Sequence, residues 1–356
     1  MLTPASNAAA GGTPLARVMV CDDSAVIRSA IARVLESDPG IRVIARAGNG
    51  REALEQARRT AVDVVVLDIE MPVMDGLAAL PLLLREHPGL KVVMASTLTT
   101  RGAEITLRAL SLGAADFVAK PSAVAALGED LFRRELVQKV KGLAAPRRAP
   151  PTAPPTCRPP PAQPPRLLAI GSSTGGPQAL CTLAQGLGVR VPVPVVVTQH
   201  MPASFTPILA AHIARAGVVD CTEAKDGALL RPGHISVAPG GRHMIVERGP
   251  AGLRVRLSDD PPVNFCRPSA DPMLESAAEA CDGRVLVAML TGMGQDGLVG
   301  TRRVVDAGGT AVAQDEATSV VWGMPGAVAR AGLCHAVLPL PKIAPRLLDL
   351  LAVVPA

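Results

Sequence analysis

Residues 167–180 read LLAIGSSTGGPQAL. An apolar run meets a tight cluster of glycines and hydroxyls, then turns into a segment of helical spacing. Buried strands of a parallel sheet carry such continuous apolar runs, and each is followed by a helix. Two chemistries use a turn of this kind. Backbone N–H groups at the helix N-terminus can wrap a phosphate, or the turn can lift a serine hydroxyl off the strand end as a nucleophile.

The same rhythm extends on both sides. RLLAIG, VPVVVTQ, RVLVAML and TAVAQ read as buried strands of residues 166–356, with helix-length segments between them. Residues 233–259 break the pattern and read as two or three short antiparallel strands joined by glycine turns. Upstream, ARVMVCDD, IRVIARAG, VDVVVLDIE, LKVVMAST and ADFVAKP alternate with amphipathic segments over residues 16–142. Both halves are therefore α/β with parallel sheets. Between them, ten of the twenty residues in PRRAPPTAPPTCRPPPAQPP (146–165) are proline. No helix or central strand survives that density, so residues 143–165 read as a linker.

Composition narrows the function. The 356 residues are 48% hydrophobic, enough for more than one core, but hold four Phe, one Trp and no Tyr. Nucleic-acid stacking platforms are scarce, and the +5 formal charge is scattered, so a nucleic-acid partner is not expected. No apolar run reaches the ~18–20 residues of a membrane span. The N-terminus lacks a basic region followed by an apolar stretch, so it is no secretory signal. Seven cysteines without a C-x-x-C pair read as reduced thiols of a cytoplasmic protein without a zinc site.

Ligands of a parallel α/β sheet gather beyond the carboxyl ends of its strands. In residues 16–142 those ends carry Asp22 and Asp23, then Asp68 with Glu70 two residues on, then Ser96 and Thr97, then Lys120. Three carboxylates with a hydroxyl and an ammonium suit a hard divalent cation such as Mg²⁺ beside a phosphoryl group. DDSAVIR, LDIEMPVMDG, MAST and DFVAKP resemble the receiver domain of two-component response regulators. The resemblance implies a flavodoxin-like domain with a five-stranded parallel sheet. It also implies Asp68 as phosphoacceptor, Mg²⁺ held by Asp22, Asp23, Asp68 and the Glu70 backbone carbonyl, and Ser96 and Lys120 as phosphate and switch partners.

In residues 166–356 the strand ends carry Ser172, Ser173 and Thr174, then His200, then Asp296 within TGMGQDG. A hydroxyl, an imidazole and a carboxylate suit nucleophilic acyl transfer. The spacing Gly171-x-Ser173-x-Gly175 favours Ser173 over Ser172. Asp296 also fits a helix N-cap. His212 falls on a helix-like stretch, and His234 and His243 fall in the hairpin region as turn residues. Two other outputs are weighed. A P-loop needs a lysine after its last glycine, where this chain has Pro177 and Gln178. A DNA-binding output needs a helix-turn-helix pattern in place of alternating strands and helices.

IGSSTGG, TQHMP, APGGRHM, RPSAD, LTGMGQDG and GMPGAV, in that order, resemble the catalytic domain of the chemotaxis protein-glutamate methylesterases. The receiver–linker–catalytic order matches too. The resemblance implies a doubly wound α/β catalytic domain that hydrolyses glutamate γ-methyl esters on chemoreceptors and deamidates receptor glutamines, without a cofactor of its own. It implies Ser173 as nucleophile, His200 as base, Asp296 as orienting acid, the Met293 backbone N–H as oxyanion donor and Thr174 as support. It further implies methylated chemoreceptors and a chemotaxis histidine kinase as partners, a monomer, and release of the catalytic site when the receiver is phosphorylated.

Overall fold

The computed structural model describes residues 15–97, 99–120, 128–145, 158–161, 163–188 and 191–352. They fall into two compact units, Met1–Val93 with Ser122–Ala145, and Met94–Pro121 with Pro146–Ala356. Most of the expected linker lies outside the described residues. Its last part is tied to the fold, because Arg158 N donates to Cys334 O at 3.1 Å and Arg158 Nε to Gly332 O at 3.0 Å.

The first sheet contains β1 (Ala16–Cys21), β2 (Ile41–Ala47), β3 (Val64–Asp68), β4 (Lys91–Ser96) and β5 (Asp116–Ala119), in the order β2-β1-β3-β4-β5. β1 pairs in parallel with both β2 and β3. The intervening helices are α1 (Ala25–Glu36), α2 (Gly50–Arg59), α3 (Gly76–Glu86) and α4 (Thr100–Ser111), followed by α5 (Gly128–Ala144). Ser24, Asn49, Asp75 and Thr99 start the first four, each accepting a backbone N–H of the first turn on its side chain. Each such cap contributes about 1 kcal/mol and fixes where the strand-end loop stops. The chain reverses direction across the sheet between β1 and β3, which opens a crevice above their carboxyl ends.

The second sheet has seven strands: β6 (Leu167–Ser172), β7 (Val195–Gln199), β8 (Asp220–Glu223), β9 (His234–Val237), β12 (Val285–Met289), β13 (Thr310–Gln314) and β14 (Cys334–Leu338). Their order is β14-β13-β12-β6-β7-β9-β8, with every neighbour parallel. β6, β7, β12 and β13 are buried along their whole length, as a sheet covered on both faces requires. The covering helices are α6 (Gly176–Leu187), α7 (Thr206–Gly217), α8 (Ala270–Ala280), α9 (Leu298–Asp306), α10 (Met324–Arg330) and α11 (Leu340–Leu351).

Among the described strands, β10 (His243–Gly249) and β11 (Gly252–Ser258) pair as an antiparallel hairpin. The expectation of up to three antiparallel strands over 233–259 is corrected at β9, which lies in the sheet in parallel between β7 and β8. Its four residues are too short to show a period, and the glycine turn that follows resembles a hairpin turn. The hairpin packs on α8. Met244, Val246 and Val255 share one buried cluster with Met273 and Ala277, and Val246 N donates to Ser276 Oγ at 3.0 Å. That packing fixes the N-terminus of α8 above the sheet.

Candidate active site and phosphoacceptor site

The chain leaves β6 toward β7 on one side and returns through β12 on the other. The crevice therefore opens between the carboxyl ends of β6 and β12. Ser173 follows β6, His200 follows β7, and Asp296 follows β12. Three residues far apart in sequence lie at one edge of the sheet because parallel strands all present the same end.

The turn after β6 is pinned by its backbone. Ser173 N donates to Thr291 O at 3.0 Å, and Ser173 O accepts from Gly176 N at 2.7 Å and from Gln199 Nε2 at 3.0 Å. Gly175 turns the chain into α6 with φ +77°, a left-handed conformation that costs other residues about 1–2 kcal/mol. Gly292, on the facing β12 loop, leaves no room for a side chain, since a Cβ there would stand 3.0 Å from Ser173 Cβ and closer still to Met324 Sδ. Ser173 sits at the positive end of α6, which favours a developing alkoxide.

The two serines are separated by burial. Ser172 is fully buried and its hydroxyl donates to Gln199 Oε1 at 2.7 Å. Ser173 is half-buried. Gln199 also donates to His200 O at 3.1 Å, so one buried amide holds the backbone of both Ser173 and His200.

His200 and Asp296 are in contact: Nε2 donates to Asp296 Oδ2 at 2.7 Å. Asp296 is 2% exposed. It collects Ser269 Oγ and Ala270 N at 2.6 Å each, and Asn264 Nδ2 at 3.0 Å. The N-cap reading of Asp296 is corrected in an informative way. α9 begins after Gly297 with no side-chain cap, and Asp296 instead faces the N-terminus of α8, where the helix dipole favours an anion. Burial works against its charge, but the bonds from His200, Ser269 and Ala270 outweigh burial and hold Asp296 well below the usual carboxylate range. Beside it, burial and the Asp296 charge push Asp271 up to about 6. Burial lowers His200, yet its contacts with Asp296 and Cys266 overcome that and raise it to about 10.

The other ring nitrogen, Nδ1, lies 3.4 Å from Cys266 Sγ. Among the described residues no hydrogen bond joins the Ser173 hydroxyl to His200, so two members of the expected triad touch and the third stands at the adjacent strand end. The Met293 N–H makes no backbone hydrogen bond among the described residues. Thr174 is buried, and its hydroxyl donates to Asp116 Oδ2 at 2.5 Å rather than to His200 or Asp296.

Of the remaining histidines, His243 is no turn residue. It is 1% exposed at the start of β10, with Nδ1 accepting from Ser269 N at 3.2 Å and Nε2 donating to Pro261 O at 3.2 Å. Gln199, Asn264, Cys266, Ser269 and Asp271 were not singled out by strand-end logic. Ser269 and Asp271 fall inside the RPSAD motif, which was the available signal for α8.

At the first sheet, Asp22, Asp23 and Asp68 each bring a carboxylate oxygen within 4.8 Å of the others. Asp22 and Asp68 are buried and Asp23 is exposed, a set that fits a hard divalent cation with room for water. Ser96 is buried with its hydroxyl 2.6 Å from Thr106 Oγ1, and Ser96 O accepts from Lys120 N at 2.7 Å. Glu70 is exposed on the loop that follows β3.

Two family descriptions match this chain, CheB methylesterase over residues 168–347 and the response regulator receiver domain over residues 18–131. The chain belongs to the CheB methylesterase family. It is 53% identical over 366 residues to a protein-glutamate methylesterase/protein-glutamine glutaminase of Azospirillum brasilense, covering 95% of this chain and 93% of that protein. A protein of the same description from Caulobacter vibrioides is 53% identical over 337 residues, covering 92% and 97%. The crystal structure of the Thermotoga maritima CheB methylesterase catalytic domain superposes with a TM-score of 0.51 at 38% identity, covering 52% of this chain and 98% of that one. The methylesterase half and the receiver half of this chain thus correspond to the two matched descriptions, and no described helix is long and apolar enough to cross a membrane.

Proposed function

We propose that the chain hydrolyses glutamate γ-methyl esters and deamidates glutamines on chemoreceptors, switched on by phosphorylation of Asp68 from a chemotaxis histidine kinase. The observation that carries the catalytic part is the 2.7 Å His200–Asp296 contact, with Ser173 at the neighbouring strand end. Ser173 attacks the ester carbonyl. His200 takes the serine proton on Nδ1, because Nε2 is committed to Asp296, and passes it to the departing methanol or ammonia; a water then attacks the acyl-enzyme, and His200 takes its proton and returns it to Ser173. Asp296 fixes the ring and steadies the imidazolium. The Met293 N–H and the α6 N-terminus face the developing oxyanion.

Asp22, Asp23 and Asp68, with the Glu70 carbonyl, would hold Mg²⁺, which neutralises charge at the carboxylate during phosphorylation. A phosphoryl group on Asp68 adds about −1.5 to −2 charges and draws Ser96 and Lys120. Lys120 directly follows β5, which carries Asp116, the acceptor of the Thr174 hydroxyl. Moving Lys120 therefore pulls on the turn that presents Ser173.

Methanol release from methylated receptor membranes tests this. Acetyl phosphate with Mg²⁺ should accelerate the full chain, and residues 166–356 alone should be faster than the unphosphorylated full chain. A fragment no faster than the full chain would sink the switching mechanism. Because the neutral imidazole is the base and the His200 pKa is raised to about 10, kcat/KM should climb with pH from neutral into the alkaline range. A profile already flat at pH 7 would contradict that assignment. At Gly292→Ala the new methyl displaces Ser173, so kcat should fall on the order of 10²-fold, and overpacking should cost about 1–3 kcal/mol. Kinetics and a thermal melt read the two effects separately.

A further inference from the structure

Residues 263–266, VNFC, close a tight turn. Val263 and Cys266 exchange both backbone hydrogen bonds, at 3.1 and 2.9 Å. Asn264 and Phe265 between them are both left-handed, with φ 52° and 63°, the pattern of a type I′ turn. Asparagine tolerates that conformation, whereas a bulky residue such as phenylalanine is a genuine outlier there. Phe265 is 79% exposed, so burial of its ring does not account for the conformation.

What the turn accomplishes is visible in its two polar side chains. Asn264 Nδ2 donates to Asp271 Oδ2 at 2.9 Å and to Asp296 Oδ1 at 3.0 Å, so one amide spans two buried carboxylates that would otherwise repel. Two residues later Cys266 Sγ stands 3.4 Å from His200 Nδ1. One strained turn thus touches both the acid and the base. With Nε2–H given to Asp296, a neutral His200 offers Nδ1 as an acceptor, and the thiol donates to it; a charged His200 donates from Nδ1 to sulfur. Sulfur is a weak hydrogen-bonding partner in either role.

We infer that the 263–266 turn positions the catalytic pair: Asn264 holds Asp296 in register with His200, and Cys266 holds the imidazole by the nitrogen that must receive the Ser173 proton, as a weak partner displaced when substrate binds. This rests on the triad reading above. Asn264 and Cys266 are positioning residues, acting through Asp296 and His200.

The test uses full-length protein activated with acetyl phosphate and Mg²⁺, with kcat, KM and pH profiles on methylated receptor membranes. Asn264→Gly keeps a residue that accepts positive φ and deletes only the amide. It should lower kcat about 10- to 100-fold while KM stays within about twofold, because the amide acts on the chemical step. Cys266→Ala should move the rise of kcat/KM to lower pH, since the thiol is one of the contacts that raise His200. Cys266→Ser should restore the wild-type pH position while slowing kcat, because a hydroxyl competes harder for Nδ1. An unchanged kcat in Asn264→Gly, or a Cys266→Ala profile that superposes on wild type, overturns the inference. A lowered melting temperature with an unchanged pH profile also overturns it, as a merely structural turn. Ser173→Ala run in parallel separates the two readings, because activity surviving there fails the triad itself.

Discussion

Ser173→Ala should lower methanol release by a factor on the order of 10⁴–10⁶ without unfolding the protein. The bonds that pin the turn are made by the Ser173 backbone, to Thr291 O, Gly176 N and Gln199 Nε2, and all survive the substitution. The neighbouring hydroxyl cannot take over. Ser172 is fully buried and donates to Gln199 Oε1, and freeing it would orphan a buried amide oxygen at a cost of about 1–3 kcal/mol. Ser172→Ala should therefore keep activity within about tenfold of wild type, losing only part of the Gln199 clamp. A Ser173→Ala protein that still turns over, or a Ser172→Ala protein as dead as Ser173→Ala, would move the nucleophile.

Asp296→Asn should cost on the order of 10⁴ in kcat. The carboxylate accepts from His200, Ser269, Ala270 and Asn264. An asparagine turns one of its oxygens into an N–H₂ that faces at least one of those donors in either orientation, so a buried donor is left unmatched. The negative charge that steadies the imidazolium is lost as well. With it goes one of the contacts that raise His200, so burial dominates and the ring should titrate at lower pH. Asp271 loses the charge that helps push it up to about 6 and should also titrate lower. Kinetics with an NMR titration of the histidine ring check both; a His200 titration unmoved in Asp296→Asn would show that the pair is uncoupled.

Strand-end logic reaches residues that follow a long apolar run. β6, β7 and β12 are such runs; Ser173 and His200 follow the first two directly, and Asp296 lies in the loop after β12. Asp22, Asp23 and Asp68 were legible for the same reason, and they cluster. The logic misses residues that touch the site from a loop. Asn264 and Cys266 reach the site through a turn whose left-handed backbone leaves no periodic trace. β8 and β9 have four residues each, and β14, though as long as β7 and β12, is mostly half-buried, so none of the three stands out as a buried apolar run. His243 looked like a turn residue because it follows glycines, yet it is buried behind Ser269.

Asp296 shows the division most clearly. A carboxylate within a glycine-rich loop before a helix pattern reads equally as a cap or as an acid. The fold decides by carrying α8, braced by the β10–β11 hairpin, to that loop, so that Ser269 and the first N–H groups of α8 face the carboxylate. The alternation of long buried strands with helices and the identity of the residues at their ends follow from the chain alone, because hydrophobic period and turn chemistry are local properties. Which nitrogen of His200 faces Asp296, which serine is buried, and which helix keeps Asp296 charged depend on contacts between residues tens of positions apart, and only packing in three dimensions sets those.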